Sequence, residues 1–146
     1  MQRIGWREWV SLPELGIRQI KVKVDTGART SALHAFELST WFVGDQEWVR
    51  FCMHPLQKNT EVVTECICPV LERRQVTDSG GHREERIVIR TDVKLGERRW
   101  PIEITLTDRE NMKFRMLLGR TAMDGLCIDP NASYLLGRKK RPGSVV

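Results

Sequence analysis

The sequence predicts an all-β, barrel-like domain with one short helix near its C-terminal end. Three observations carry that reading. Apolar residues recur at every second position, as in Ile20-Lys21-Val22-Lys23-Val24 and Ile102-Glu103-Ile104-Thr105-Leu106, which is the period of a half-buried strand. Glycine and proline close most such runs, at Gly16, Pro55, Pro69 and Gly96, as short strands joined by turns require. Only residues 121–126, with Gly125 near their end, read as one or two helical turns.

A chain of 146 residues with 40% apolar and 29% charged residues is one globular domain with enough mass for its own core. No apolar run approaches the ~20 residues of a membrane span. No basic segment followed by an apolar stretch marks a signal peptide, so the expected location is the cytoplasm. Net charge is +5 and the pI is near 9.3. Part of that excess is Arg138-Lys139-Lys140-Arg141, so the domain is expected over residues 1–137 and a basic, disordered tail over 138–146. The tail reads as a solvated terminus or as an attractor of RNA or acidic peptide, and nucleic acid is expected only through it.

Taken in order, residues 1–10 form a first strand containing Trp6 and Trp9, as core anchors or dimer contacts. A turn over 11–16 leads to the strand ending at Val24. Residues 29–35 form the next strand and include His34, either a catalytic group or a satisfied structural one. Residues 48–53 and 62–68 pair as a hairpin. Cys66 and Cys68 share a face of its second strand, as small buried apolar residues or, with a histidine, as metal ligands. Residues 71–89 form two strand-like runs around a polar tip at Gly80-Gly81. Residues 91–95 and 100–107 follow as strands. Residues 112–118 end in a nearly continuous apolar run, as in a strand buried on both faces. Asp129-Pro130-Asn131 reads as a turn, and 133–136 as a closing strand.

Chemistry concentrates at Val24-Asp25-Thr26-Gly27-Ala28. A strand delivers an acid to a turn that Gly27 lets bend, with a hydroxyl alongside at Thr26. An acid, a hydroxyl and a glycine at a strand end is the active-site loop pattern of aspartic proteases. Near the other end stands Met116-Leu117-Leu118-Gly119-Arg120, and retroviral-type proteases carry two aliphatic residues and Gly-Arg at that place. The stretches GWREWV (5–10), VDTGARTSALHA (24–35), TLTDR (105–109) and FRMLLGR (114–120) together resemble one bacterial family, over about residues 4–137. It is the RimB-like family, also called ATP-dependent zinc proteases, whose genes accompany the glutamate ligase RimK.

The resemblance implies a retropepsin-like closed β-barrel with a peptidase site. Asp25, Thr26 and Gly27 would be its catalytic loop. Leu118, Gly119 and Arg120 would support that loop from behind, although Arg120 also lies within reach of Asp124. Ala28, Arg29, Ser79, Gly80, Gly81 and Arg83 would contact substrate, the tip at 79–83 acting as a closing flap or else as a plain surface turn. Arg29 could face a substrate carboxylate or a protein acid.

The chemistry needs two carboxylates sharing a proton, an effect for which aspartic proteases are the reference case. The sequence holds a single Asp-Thr-Gly and no Asp-Ser-Gly. A homodimer is therefore expected, with Asp25 and its mate about a two-fold axis. The family context points to glutamate-rich tails, such as those of a ribosomal protein, and Arg29, Arg73, Arg74, Arg83 and Arg86 suit an acidic peptide or protein substrate. No cofactor and no metal is expected: H-E-x-x-H and the phosphate-loop motif are both absent, and His34, His54 and His82 are scattered. Two alternatives remain, a non-catalytic peptide- or RNA-binding module on the same fold and a zinc-dependent peptidase.

Overall fold

The computed structural model describes residues 1–57, 59–77, 80–108 and 113–136. Ser79 and the basic tail fall outside these residues. Among the described residues there are eleven strands: β1 (Gln2–Leu12), β2 (Ile17–Val24), β3 (Ser31–His34), β4 (Phe36–Val43), β5 (Gln46–Met53), β6 (Thr64–Pro69), β7 (Glu72–Thr77), β8 (Arg83–Leu95), β9 (Arg98–Thr107), β10 (Met116–Leu118) and β11 (Leu126–Ser133). Eight form one sheet in the order β11-β1-β2-β10-β3-β9-β8-β7, and β4-β5-β6 form a second. A pairing of Ser11 with Lys94 joins β1 to β8, so the middle of the large sheet curls into a partial ring. No helix among the described residues is long and apolar enough to cross a membrane.

The alternation read from sequence is what fills the ring. Ile20 and Val22 of β2, Leu33 of β3, Ile89 of β8, Ile104 of β9 and Met116 and Leu118 of β10 are fully buried on one side of the sheet. The second sheet adds Val49, Phe51 and Met53 of β5 and Cys66 and Cys68 of β6 to the same core. Each such side chain contributes about 1.5–3 kcal/mol by leaving water. β5 and β6 pair antiparallel as the expected hairpin.

Four expectations need correction. The helix expected over 121–126 is a single 3-10 turn, Arg120–Ala122. Gly125 is left-handed at φ +77° and reverses the chain at once into β11, so no room remains for a second turn. The turn expected at 129–131 lies inside β11, whose pairing with β1 matches Gly5 to Asp129 and then Arg7 to Ser133. Four residues therefore span what two span on β1. The turn signal was real and produces a bulge, with the Asn131 N–H donating to Asp129 Oδ1 at 2.9 Å. Pro130 is tolerated because β11 is an edge strand. The closing strand is accordingly Leu126–Ser133 rather than 133–136. Of the strand expected over 112–118, Met112 lies outside the described residues, 113–115 are not in a strand, and Met116–Leu118 form β10, with Leu117 only half-buried.

Trp6 and Trp9 are half-buried rather than core anchors. Trp6 meets Phe114 edge-on, Trp9 stacks on Tyr134, and the Arg7 guanidinium lies between the Trp6 and Tyr134 rings. Glu8, between the two tryptophans in sequence, is the residue that goes fully inside.

Candidate active site

The acid loop is built where two strand ends meet. β10 runs parallel to β2 with Leu118 opposite Val24. The ladder continues past the strands: the Asp25 N–H donates to the Leu118 carbonyl at 2.9 Å, the Arg120 N–H to the Ala28 carbonyl at 2.8 Å, and the Thr121 N–H to the Arg29 carbonyl at 3.0 Å. The Arg120 guanidinium donates to the Thr26 carbonyl at 3.0 Å. Residues 25–29 are thus laced to residues 118–121 by backbone groups, which holds the loop without using the Asp25 side chain. Arg120 is turned to this loop, not to Asp124.

Gly119 is required by space. A Cβ there would lie 2.5 Å from the Thr30 carbonyl carbon and 2.7 Å from the Ser31 nitrogen. Its N–H donates to Ser31 Oγ at 3.0 Å, and Thr105 Oγ1 donates to the Ser31 carbonyl at 3.3 Å. Ser31 and Thr105, both buried, are supports that the sequence reading passed over. In the sequence they are only a small hydroxyl at the entry to Ala32-Leu33 and another inside the apolar run of β9, with nothing to mark either as a support.

The Asp25 carboxylate is partly open to water, and Oδ1 accepts the Gly27 N–H at 3.0 Å. Asp25 takes part in no ion pair among the described residues. Gly27 is not left-handed; its role is clearance, since a Cβ would sit 3.3 Å from Asp25 Oδ1. Thr26, Gly27 and Arg29 are exposed and Ala28 is half-buried.

The hairpin β7–β8 reaches this loop through its flank. Arg74 Nη1 lies 3.5 Å from Thr30 Oγ1. Gly80, Gly81 and Arg83 lie at the exposed tip, where Gly81 has φ +82°. Arg73 is taken up by Glu47 of β5 and Glu85 of β8, which tie the hairpin to the second sheet.

His34 stands at the opposite end of β3 from the acid loop, with its N–H on the Arg115 carbonyl. Its Nε2 is 3.5 Å from Asp108, and neither ring nitrogen has a hydrogen-bond partner. Burial, then the Arg115 charge, hold its pKa below the usual histidine value, against the pull of Asp108.

The sequence profile described as "RimB-like: Retropepsin-like aspartic endopeptidase RimB" matches residues 3–139. The chain belongs to the RimB-like family. It is also 49% identical over 135 residues to a protein of Desulfotalea psychrophila, covering 92% of this chain and 29% of that protein. A Shewanella pealeana protein is 42% identical over 137 residues, with coverage of 93% and 30%. Both are named "Probable alpha-L-glutamate ligase", and this chain spans about three-tenths of their length. In fold it is similar to a Legionella pneumophila protein of unknown function, with a TM-score of 0.77, 21% identity, and coverage of 92% of this chain and 98% of that one.

The zinc in the other name of the RimB-like family does not suit the donors present. Cys52, Cys66 and Cys68 are buried, and burial pushes the Cys66 thiol up to about 12 and the Cys68 thiol to about 11. His34 and His54 stack at 6.3 Å instead of converging on a point. Among the described residues no three of His, Cys, Asp and Glu are arranged to hold a metal.

Proposed function

We propose that this RimB-like chain is one half of a retropepsin-type aspartic peptidase, completed by a second copy and acting on acidic peptides such as glutamate-rich protein tails. The observation that carries the reading is the Asp25 loop: a water-accessible carboxylate, outside any described ion pair, on a backbone fixed from behind by residues 118–121. A structural aspartate has no need of such a mount, whereas a catalytic one does.

The chemistry follows from pairing. Asp25 of each protomer would lie close to its mate, and two carboxylates at such a distance hold one proton between them. The ionised member takes a proton from water as the water oxygen bonds to the peptide carbonyl carbon. The protonated member donates a hydrogen bond to the carbonyl oxygen. The C–N bond then breaks as the proton passes to the leaving nitrogen. Thr26 from each protomer would hydrogen-bond across the axis, and the tip carrying Gly80 and Gly81 would close over substrate and exclude water. Arg29, next to the acid turn, would attract a substrate carboxylate, and Arg83, on the tip, would add a second cation on closure.

A second reading is favoured by the relatives named as glutamate ligases, of which this chain matches only about three-tenths. On that reading the domain holds an acidic peptide for a ligase without cutting it. Asp25→Asn separates the two. The peptidase reading expects cleavage of an oligoglutamate peptide by the wild-type protein and none by the variant, with an unchanged thermal transition. Intact peptide in both reactions, alongside equal peptide binding, would instead support the binding module.

A further inference from the structure

Strand alternation assigns Asp25 to a definite face of the large sheet. Val24 packs toward the core opposite Leu118, so Asp25, one step on, falls with Lys23 and Leu117 on the other face. Leu117 pairs with Ala32, Ala32 with Thr105, and Thr105 with Val88. Val88 is fully buried yet lies outside the main core cluster, which confirms that this face has a packed layer of its own. Arg86 and Arg90 flank Val88 at two-residue spacing and share its face. Arg74 is the direct cross-strand partner of Arg86, and Glu103 of Arg90.

Like charges directly opposite one another destabilise a sheet unless something neutralises them. Arg74 is neutralised, by Glu72 and by Glu103 at 2.9 Å. Arg86 is only 9% exposed, lies 3.7 Å from Glu84, and leaves its Nε without a hydrogen-bond partner. Beside this pair opens a cavity of about 340 Å³ whose charged lining is Arg29, Arg74, Arg90 and Glu103. Its wall includes Arg29 and Thr121, whose backbone groups join the two segments laced together behind the acid, and Thr30 next to Arg29. Glu103 is engaged by Arg74, and Arg29 and Arg90 have no ion pair among the described residues. The cavity therefore presents unneutralised positive charge next to the acid loop.

We propose that this cavity is a specificity subsite for the carboxylate side chain of an acidic residue in a bound peptide. Arg90 and Arg29 supply the charge, and Arg74, fixed by Glu72 and Glu103, supplies a positioned guanidinium. The assignment of the occupant to substrate rests on the reading of Asp25 as a catalytic acid. A peptide side chain suits the cavity better than RNA, because no aromatic ring lines it to stack on a base.

The test uses the Asp25→Asn chain, so that binding is read without cleavage. Two labelled peptides of equal length, one of glutamates and one with glutamines in their place, are titrated by fluorescence anisotropy. The glutamate peptide is expected to bind about tenfold more tightly, and Arg90→Gln or Arg29→Gln/Arg90→Gln to remove that preference, as loss of a charge-assisted hydrogen bond implies. Melting curves of the arginine variants should match the parent, since both side chains are exposed. Equal affinity for the two peptides, or an unaltered preference in the double variant, overturns the subsite. Displacement of the peptide by equimolar inorganic phosphate would reassign the cavity to a free anion, and tighter arginine-dependent binding of an RNA oligomer would reassign it to nucleic acid; either overturns the proposal. Arginine-dependent glutamate binding by a chain whose wild-type form cuts nothing would sustain the subsite while removing the peptidase reading.

Discussion

Glu8 shows how much one side chain decides. It is fully buried, and its carboxylate accepts backbone N–H groups from Gly5 at 2.7 Å, Leu135 at 2.8 Å and Leu136 at 3.2 Å. It thereby ties the segment after β11 back onto β1. Removing the carboxylate leaves three donors facing a hole, so Glu8→Ala should lower stability by about 3 kcal/mol, read as a shift in denaturant midpoint at constant slope. His34 gives a residue-scale prediction in pH. Its folded pKa lies below the ordinary 6.5 because burial and Arg115 disfavour the cation. As pH falls below 6.5 the unfolded chain takes up a proton that the folded chain resists, so this contribution is complete above 6.5 and is lost on the acid side. Asp108 opposes the shift, and His54 adds to it. His34→Gln should flatten the fall in stability between about pH 6.5 and 5 relative to wild type; an unchanged slope would show that His34 does not titrate differently on folding. Asp25 and the Gly119-Arg120 pair could be read from sequence because their spacing is tied to a motif. Ser31 and Thr105 could not, since a hydroxyl in an apolar run looks the same whether it braces a loop or faces water.

At the scale of elements, the acid loop depends on the close passage of two backbones. Gly119→Ala places a methyl within 2.5 Å of the Thr30 backbone and must part the loop from its mount. A cost of about 1–3 kcal/mol is expected, together with a loss of peptide cleavage larger than the loss of folded protein. Cleavage retained at wild-type level by a folded Gly119→Ala chain would refute the supporting role. The element that sequence reading placed best is β2, with one buried face, where alternation reports burial directly; β9 showed the same alternation although its last four residues are buried on both faces. β4 escaped it because all but its first residue are exposed, so Phe36–Val43 carries no alternation to see. β8 was divided in two, with the break at Arg90, because an exposed arginine interrupts a run that continues unbroken as a strand. The short helix and the late turn were misjudged for a shared reason: Gly125 and Asp129-Pro130-Asn131 are turn formers by local chemistry, and pairing with β1 absorbed them into a bulged edge strand.

For the whole molecule, the proposed function turns on an incomplete pair of acids. The chain carries one acid of the required pattern, and the RimB-like fold presents it at the surface rather than enclosing it. Net positive charge and a cationic cavity beside that acid suit the acidic peptide proposed as substrate. The relatives, more than three times as long, join a domain like this one to further sequence under the name of glutamate ligase. The most direct measurement is specific peptidase activity on an oligoglutamate peptide across protein dilution, with sedimentation recorded on the same samples. If two copies make the site, activity per chain falls on dilution in step with the fraction of dimer. Undiminished activity per chain in a particle that sediments as a monomer would contradict it.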